Sequence, residues 1–171
     1  MLNKSPVQLW MSALAQREDA SVDLRLMPFE EPVWTLTHPS EWTPEPGLRN
    51  PPRSVSIPFG FVTSMFSVSK LYWKWLPSER AYAQLAIAHD YLYWMQDGDR
   101  GRADRLLYLG LKAMHVPLFK ALSIYVMTRI HGRVIWYHYG EDRKEGGQRV
   151  LKVLPQRPPT SWLKWKQGNV F

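Results

Sequence analysis

The sequence predicts an α+β fold in which small N-terminal strands pack on about three main helices, with extended proline-rich arms at the termini. Three observations support this prediction. Apolar residues recur at helical spacing from position 82 onward. Apolar and polar residues alternate over short stretches in the first third of the chain, as in strands. Prolines, which lack a backbone donor, concentrate between 39 and 52 and between 155 and 159.

The composition limits the classes of function. The 171 residues suit one domain, which at this size buries roughly 70% of its unfolded surface. The net charge is +7, but the basic residues are dispersed, so specific nucleic-acid recognition is not predicted. The absence of cysteine excludes disulfides and cysteine nucleophiles. The longest apolar stretch, 116–139, is interrupted by lysine and arginine, so no transmembrane segment is expected.

The N-terminal part is predicted to contain short elements. Residues 6–16 have the spacing of an amphipathic helix that needs a surface to lie on. The alternating pattern at 22–27 predicts a strand, and 33–37 is a candidate for another. The prolines of 38–53 predict an ordered loop or arm rather than sheet interior. Another strand is expected at 54–57.

Helices dominate the second half. Ser78 is a candidate N-cap for a first helix, the stretch 96–99 predicts a turn, and a second helix is expected from about Gly101. A third helix is expected after Pro117. Gly132 ends that helix, bends it or permits close packing, and the sequence leaves these alternatives open.

Beyond the third helix, the charged stretch 141–147 predicts a turn, and 150–153 predicts a short strand. Trp162 and Trp165 then stand among lysines in a proline-stiffened tail. Two interpretations are equally open: the tail is an arm that docks on another molecule, or it folds back over its own core.

His89 and Asp104 are predicted to meet across the helical hairpin. His89 is nine residues before Gly98 and Asp104 is six after it. At 1.5 Å per residue they lie roughly 13 and 9 Å from the turn, so an imidazole and a carboxylate can touch. Either Asp104 orients His89 as a general base, or the pair is a satisfied part of the core.

Three blocks of sequence carry a family resemblance. They read Ile57-Pro58-Phe59-Gly60-Phe61-Val62-Thr63-Ser64, then His89-Asp90-Tyr91-Leu92-Tyr93, then Gly101-Arg102-Ala103-Asp104-Arg105. In order and spacing they resemble a family of small phage and prophage proteins, classed only as domain of unknown function number thirteen fifty-three. The resemblance covers about residues 54–139 and implies a phage setting without an established reaction.

The resemblance also divides the chain. It implies an N-terminal arm with the first strands at 1–53, a family core with the hairpin at 54–140, and a C-terminal extended arm at 141–171. Where the family carries an acid after the threonine, this chain has Ser64. A site that depended on that acid would therefore be incomplete here.

A weaker, local resemblance points to chemistry. The histidine–aspartate helix followed by an alanine–aspartate helix is similar to the catalytic hairpin of phospholipases A2. That resemblance implies His89 as general base, Asp104 as its orienting partner and Asp90 as a calcium ligand. Calcium takes 6 to 8 oxygens, and the only candidate carbonyl loop, at 59–61, contains a single glycine.

Two functions follow as expectations. The first is an accessory or structural protein of the virion, such as a tail or connector adaptor, present in many copies and without a cofactor. In it Trp10, Trp162 and Trp165 would anchor terminal arms on other virion proteins, since tryptophans are frequent interface hot spots. The second is a calcium-dependent, phospholipase A2-like esterase that acts on membrane lipids during entry or lysis.

Overall fold

The computed structural model describes residues 24–48, 50–64 and 80–171. Within these ranges five short strands precede four helices, which confirms the predicted α+β class. The strands are β1 (Leu26–Pro28), β2 (Trp34–Leu36), β3 (Ser40–Trp42), β4 (Val55–Ile57) and β5 (Val62–Thr63). The helices are α1 (Arg80–Met95), α2 (Arg100–Ala113), α3 (Leu118–Lys144) and α4 (Trp162–Trp165). The helix predicted at 6–16, the candidate cap Ser78 and Trp10 lie outside the described residues.

The strands form two small antiparallel sheets. One has the order β1-β2-β5, and the other pairs β3 with β4. The strands predicted at 33–37 and 54–57 correspond to β2 and β4. The prediction of loop throughout 38–53 is wrong at β3. Its residues lie between Pro39 and Pro44. Ser40 and Trp42 are buried while Glu41 between them is exposed, so one face of the strand packs on the core.

The hairpin of α1 and α2 is built as the sequence predicts. Gln96 and Gly98 adopt positive φ angles of 52° and 108°, which turn the chain. Asp99 then caps α2, because its carboxylate accepts the backbone N–H of Arg102 at 3.1 Å.

The helix α3 is longer than predicted and crosses the stretch expected to be a turn. It continues to Lys144 before Gly146 takes a positive φ of 87°. The cationic side chains of Arg143 and Lys144 favour the C-terminal end of a helix, so the charged segment extends α3 instead of ending it. The boundary drawn at residue 140 therefore falls inside α3.

Gly132 permits close packing. A Cβ atom at this position would overlap the hydroxyl of Tyr93 on α1. Because the glycine has no side chain, α1 and α3 approach closely without interrupting α3.

The C-terminal segment folds back over the body of the protein and is not an extended arm. Leu151 and Val170 are buried in a cluster with Phe29 and Val62. The backbone N–H of Leu151 donates to Gly60 at 2.9 Å. Residues 150–153 do not form the expected strand. Val150 makes only an isolated bridge with Phe61.

A larger apolar cluster joins the helices to both sheets. Its fully buried members include Leu36, Ile57, Tyr82, Leu107 and Ile124. No helix in the described ranges combines the length and apolar character needed to cross a bilayer.

Candidate functional site

Asp104 is the centre of a buried polar network between the helices. Its carboxylate has no solvent exposure and accepts four donors. His89 Nε2 lies 3.3 Å from Oδ1, and the Tyr93 hydroxyl donates to the same oxygen. Arg100 and Arg129 each donate to Oδ2, at 3.0 and 2.8 Å. The predicted contact between His89 and Asp104 is therefore confirmed, and α3 joins it through Arg129.

The sequence builds this network from helical spacing. His89 and Tyr93 are four residues apart on α1, and Arg100 and Asp104 are four apart on α2, so each pair shares a face. Arg129 comes from α3. One carboxylate thus ties three helices together.

The network holds Asp104 as a carboxylate. Burial disfavours its charge, but hydrogen bonds from His89, Tyr93 and Arg129 more than offset that cost, so the pKa of Asp104 lies below its usual value. The hydrogen bond to Asp104 raises the pKa of Arg129. Burial and then the bond to Asp104 raise the pKa of Tyr93. The phenol therefore stays protonated and donates.

Asp90 anchors a second network towards β5 and the end of α3. Its side chain is fully buried. The hydroxyls of Thr63 and Tyr139 donate to its two oxygens, at 2.6 and 3.1 Å. Arg149 in turn donates to the Tyr139 hydroxyl at 2.9 Å and places its guanidinium 4.1 Å from the centre of that ring.

Ser64 belongs to the same network. It is 8% exposed and lies close enough to Tyr139 to affect that phenol. Burial, followed by the nearby charge of Asp90, raises the pKa of Tyr139. The position after Thr63 thus holds a neutral hydroxyl near Tyr139, whose own hydroxyl donates to Asp90.

The three candidate catalytic and metal-binding residues are closed off from solvent. A general base must come within hydrogen-bond reach of the proton it removes from a substrate or water. His89, Asp90 and Asp104 each have no solvent exposure. A cavity of about 350 Å³ reaches Ser64 and Arg149 at the edge of the Asp90 network, and one of about 500 Å³ lies against Ala103, but none of the three residues lines either cavity.

The residues around Asp90 do not fit the calcium site of a phospholipase. Both carboxylate oxygens already accept hydroxyl donors. In the candidate loop, the Gly60 carbonyl accepts the Leu151 N–H at 2.9 Å, and the Phe61 carbonyl accepts the Leu36 N–H at 3.0 Å. Calcium requires several oxygens turned towards one point, whereas these oxygens are committed to different partners. Among the described residues, no three His, Cys, Asp or Glu side chains are grouped in a way that could hold a metal.

The tryptophans of the tail contact the chain's own body. The Trp162 ring packs edge-on against Phe29 and Phe171, with centroids 5.2 and 6.1 Å apart. Trp165 donates its indole N–H to the Val153 carbonyl at 3.3 Å. Both rings are half-buried. Of the two interpretations of the tail, the structure confirms the one in which it folds back over the protein's own core.

Glu31 fixes the start of α4. Its carboxylate accepts the hydroxyl of Ser161 and the backbone N–H of Trp162, at 2.8 and 2.6 Å. Burial opposes ionisation, but these hydrogen bonds outweigh it and lower the pKa of Glu31. A residue from the loop after β1 thereby secures the C-terminal segment.

Sequence reasoning missed most partners of the two aspartates. Tyr93 and Arg100 had a detectable signal, because each lies one helical turn from a residue already singled out. Arg129, Tyr139 and Arg149 had none, since they arrive from distant parts of the chain.

Comparison with known proteins places the chain in a family. A family model described as "Protein of unknown function (DUF1353)" matches residues 34–127, which is more than half of the 171 residues. The match begins in β2 and includes His89, Asp90 and Asp104. No curated protein and no solved structure matches the chain. The chain belongs to the DUF1353 family of proteins of unknown function.

Proposed function

We propose that this protein is a non-catalytic structural component, an accessory subunit of a phage particle that docks on neighbouring virion proteins. The observation that carries the non-catalytic role is the state of Asp104, which is fully buried and hydrogen-bonded by four donors from three helices. The phage setting rests on the family resemblance.

The energetics of the network fit a scaffold. Removing one partner of a buried charge pair typically costs about 3–5 kcal/mol, because the other charge stays buried and unpaired. Asp104 pairs with two guanidinium groups from two helices. Such an arrangement fixes the relative positions of α1, α2 and α3, which is useful where a rigid body must present a surface.

Docking would use the folded body and not a loose tail. Trp162 and Trp165 are partly covered by their own chain, and Glu31 secures the helix that carries them. Their remaining exposed parts are the contact surface that we propose for other virion proteins.

The particle itself provides the test. Mass spectrometry of gradient-purified particles is expected to find this protein at a constant ratio to the major structural proteins. Its presence in the lysate but absence from the particles would overturn the assignment to the virion.

The esterase alternative has the His89–Asp104 pair that it requires, but both side chains are closed off from solvent. A fluorogenic phospholipid assay with calcium, and with a chelator as control, is expected to show no hydrolysis above buffer. Calcium-dependent hydrolysis that disappears in a folded His89→Asn variant would overturn the non-catalytic role.

A further inference from the structure

The helix α3 carries a long apolar stripe that faces solvent. Its six members are 45–65% exposed: Phe119, Leu122, Val126, Ile130, Val134 and Tyr137. The stripe spans 19 residues, whose 18 steps of 1.5 Å cover about 27 Å of helix. Monomeric proteins rarely expose a contiguous apolar surface of this extent, so the stripe indicates a contact surface.

The order of these residues is symmetric about one point. The successive spacings are 3, 4, 4, 4 and 3 residues. The stripe therefore reads the same in both directions from position 128. If two copies of α3 cross antiparallel at that position, Phe119 faces Tyr137 of the other copy, Leu122 faces Val134, and Val126 faces Ile130.

We propose that this stripe is a two-fold symmetric interface at which two copies of the chain pair through antiparallel α3 helices. A two-fold interface uses the same patch on both subunits and therefore requires a self-complementary patch. The symmetric spacing meets that requirement. The proposal goes beyond the role in a virion and stands without it.

The size of the stripe suits a stable pair. With roughly 100 Å² exposed on each large side chain, its six members offer about 600 Å² per copy. Leu118, which is 62% exposed, extends the patch at one end. The total approaches the roughly 800 Å² per partner of standard interfaces.

The charges on this face agree with the antiparallel arrangement. Arg133 is exposed on the same side of α3, and in the proposed register it faces Ser123 of the other copy. No like charges then meet at that position. Antiparallel helices also bring opposite ends of their dipoles together.

The first experiment measures the mass of the full-length protein by light scattering or sedimentation over a range of concentrations. The 20.1 kDa chain is expected to form a dimer of twice that mass. Ile130→Glu is expected to raise the dissociation constant at least about 100-fold, because a carboxylate would be buried without a partner. Leu163→Glu is the matched control: Leu163 is 56% exposed but lies off the stripe, so this variant stays dimeric.

A second experiment tests the register. The chain has no cysteine, so introduced cysteines report without interference. A mixture of the single variants Leu122→Cys and Val134→Cys is expected to form the mixed disulfide. Each variant alone is expected to stay uncrosslinked, because like positions lie about 18 Å apart in an antiparallel pair.

Several results would overturn the proposal. A wild-type protein that stays monomeric, or self-crosslinking of Leu122→Cys that exceeds the mixed product, would exclude this pairing. A monomer that dimerises only after deletion of residues 1–23 would show that the chain covers its own stripe. A monomer whose binding to anionic vesicles is lost in Ile130→Glu would assign the stripe to a membrane surface. Circular dichroism checks that each variant is folded. If Ile130→Glu does not fold, Val134→Lys is the second variant that should disrupt the dimer.

Discussion

Replacing Asp104 with asparagine, a side chain of nearly the same size, should strongly lower the free energy of unfolding. The substitution keeps the shape of the side chain but removes the negative charge that Arg100 and Arg129 contact at 3.0 and 2.8 Å. Loss of one member of a buried pair costs about 3–5 kcal/mol. The side chains of Arg100 and Arg129 are 17% and 40% exposed, so water can solvate part of each guanidinium once the carboxylate is gone. We therefore expect the lower end, about 3 kcal/mol.

Urea denaturation followed by circular dichroism measures this loss. With an m-value of about 2 kcal/mol/M, the midpoint should fall by about 1.5 M urea. The matched control is Asp97→Asn, which changes an exposed carboxylate in the same hairpin and should lie within about 0.5 kcal/mol of wild type. A free energy of unfolding for Asp104→Asn within about 1 kcal/mol of wild type would refute the central role of this carboxylate.

Three further predictions follow from individual contacts. Because the pKa of Asp104 is lower in the folded than in the unfolded chain, its carboxylate stabilises the fold fully above the usual carboxyl pKa, and this stabilisation is lost as the pH falls through the pKa of the folded state. Wild type should therefore lose more stability on acidification than Asp104→Asn. Equal losses in the two proteins would contradict this prediction. Gly132→Ala should cost about 1–3 kcal/mol through overlap with Tyr93, whereas Gly140→Ala on the same helix meets only the flexible end of Gln96 and should be nearly neutral in the same urea assay. Thr35 is fully buried and its hydroxyl has no hydrogen-bond partner among the described residues, so Thr35→Val should stabilise the protein by about 1 kcal/mol. Thr63→Val removes a donor to Asp90 and should destabilise the protein. If the melting temperatures of Thr35→Val and Thr63→Val shift in the same direction, the prediction for Thr35 is wrong.

The helical hairpin could be predicted because its signals are local. A glycine turn and two helical patterns place His89 and Asp104 at similar heights, and the structure brings them within 3.3 Å. The chemical role of the pair could not be predicted in the same way. It depends on burial and on Arg129, which reaches Asp104 from α3 across 25 positions of sequence.

The errors in the fold arose where tertiary contacts outweigh local preference. Prolines around β3 suggested a loop, but they flank the three paired residues and do not interrupt them. The charged end of α3 suggested a turn, yet Arg143 donates to the Trp94 carbonyl at 3.2 Å and holds that end against α1. The sequence around Trp162 predicts an arm because nothing there indicates the contact with Glu31, which lies 130 positions away and secures the tail.

The accessibility of His89 tests the structural account most directly. Diethyl pyrocarbonate modifies solvent-accessible imidazoles, and peptide mass spectrometry resolves each histidine in one reaction. His131 and His138 are exposed on α3 and serve as internal controls, whereas His89 has no solvent exposure. We expect rapid modification of the two controls, with His89 protected until urea unfolds the chain. Modification of His89 in the folded protein at a rate similar to that of His131 would contradict the buried network and reopen a catalytic role.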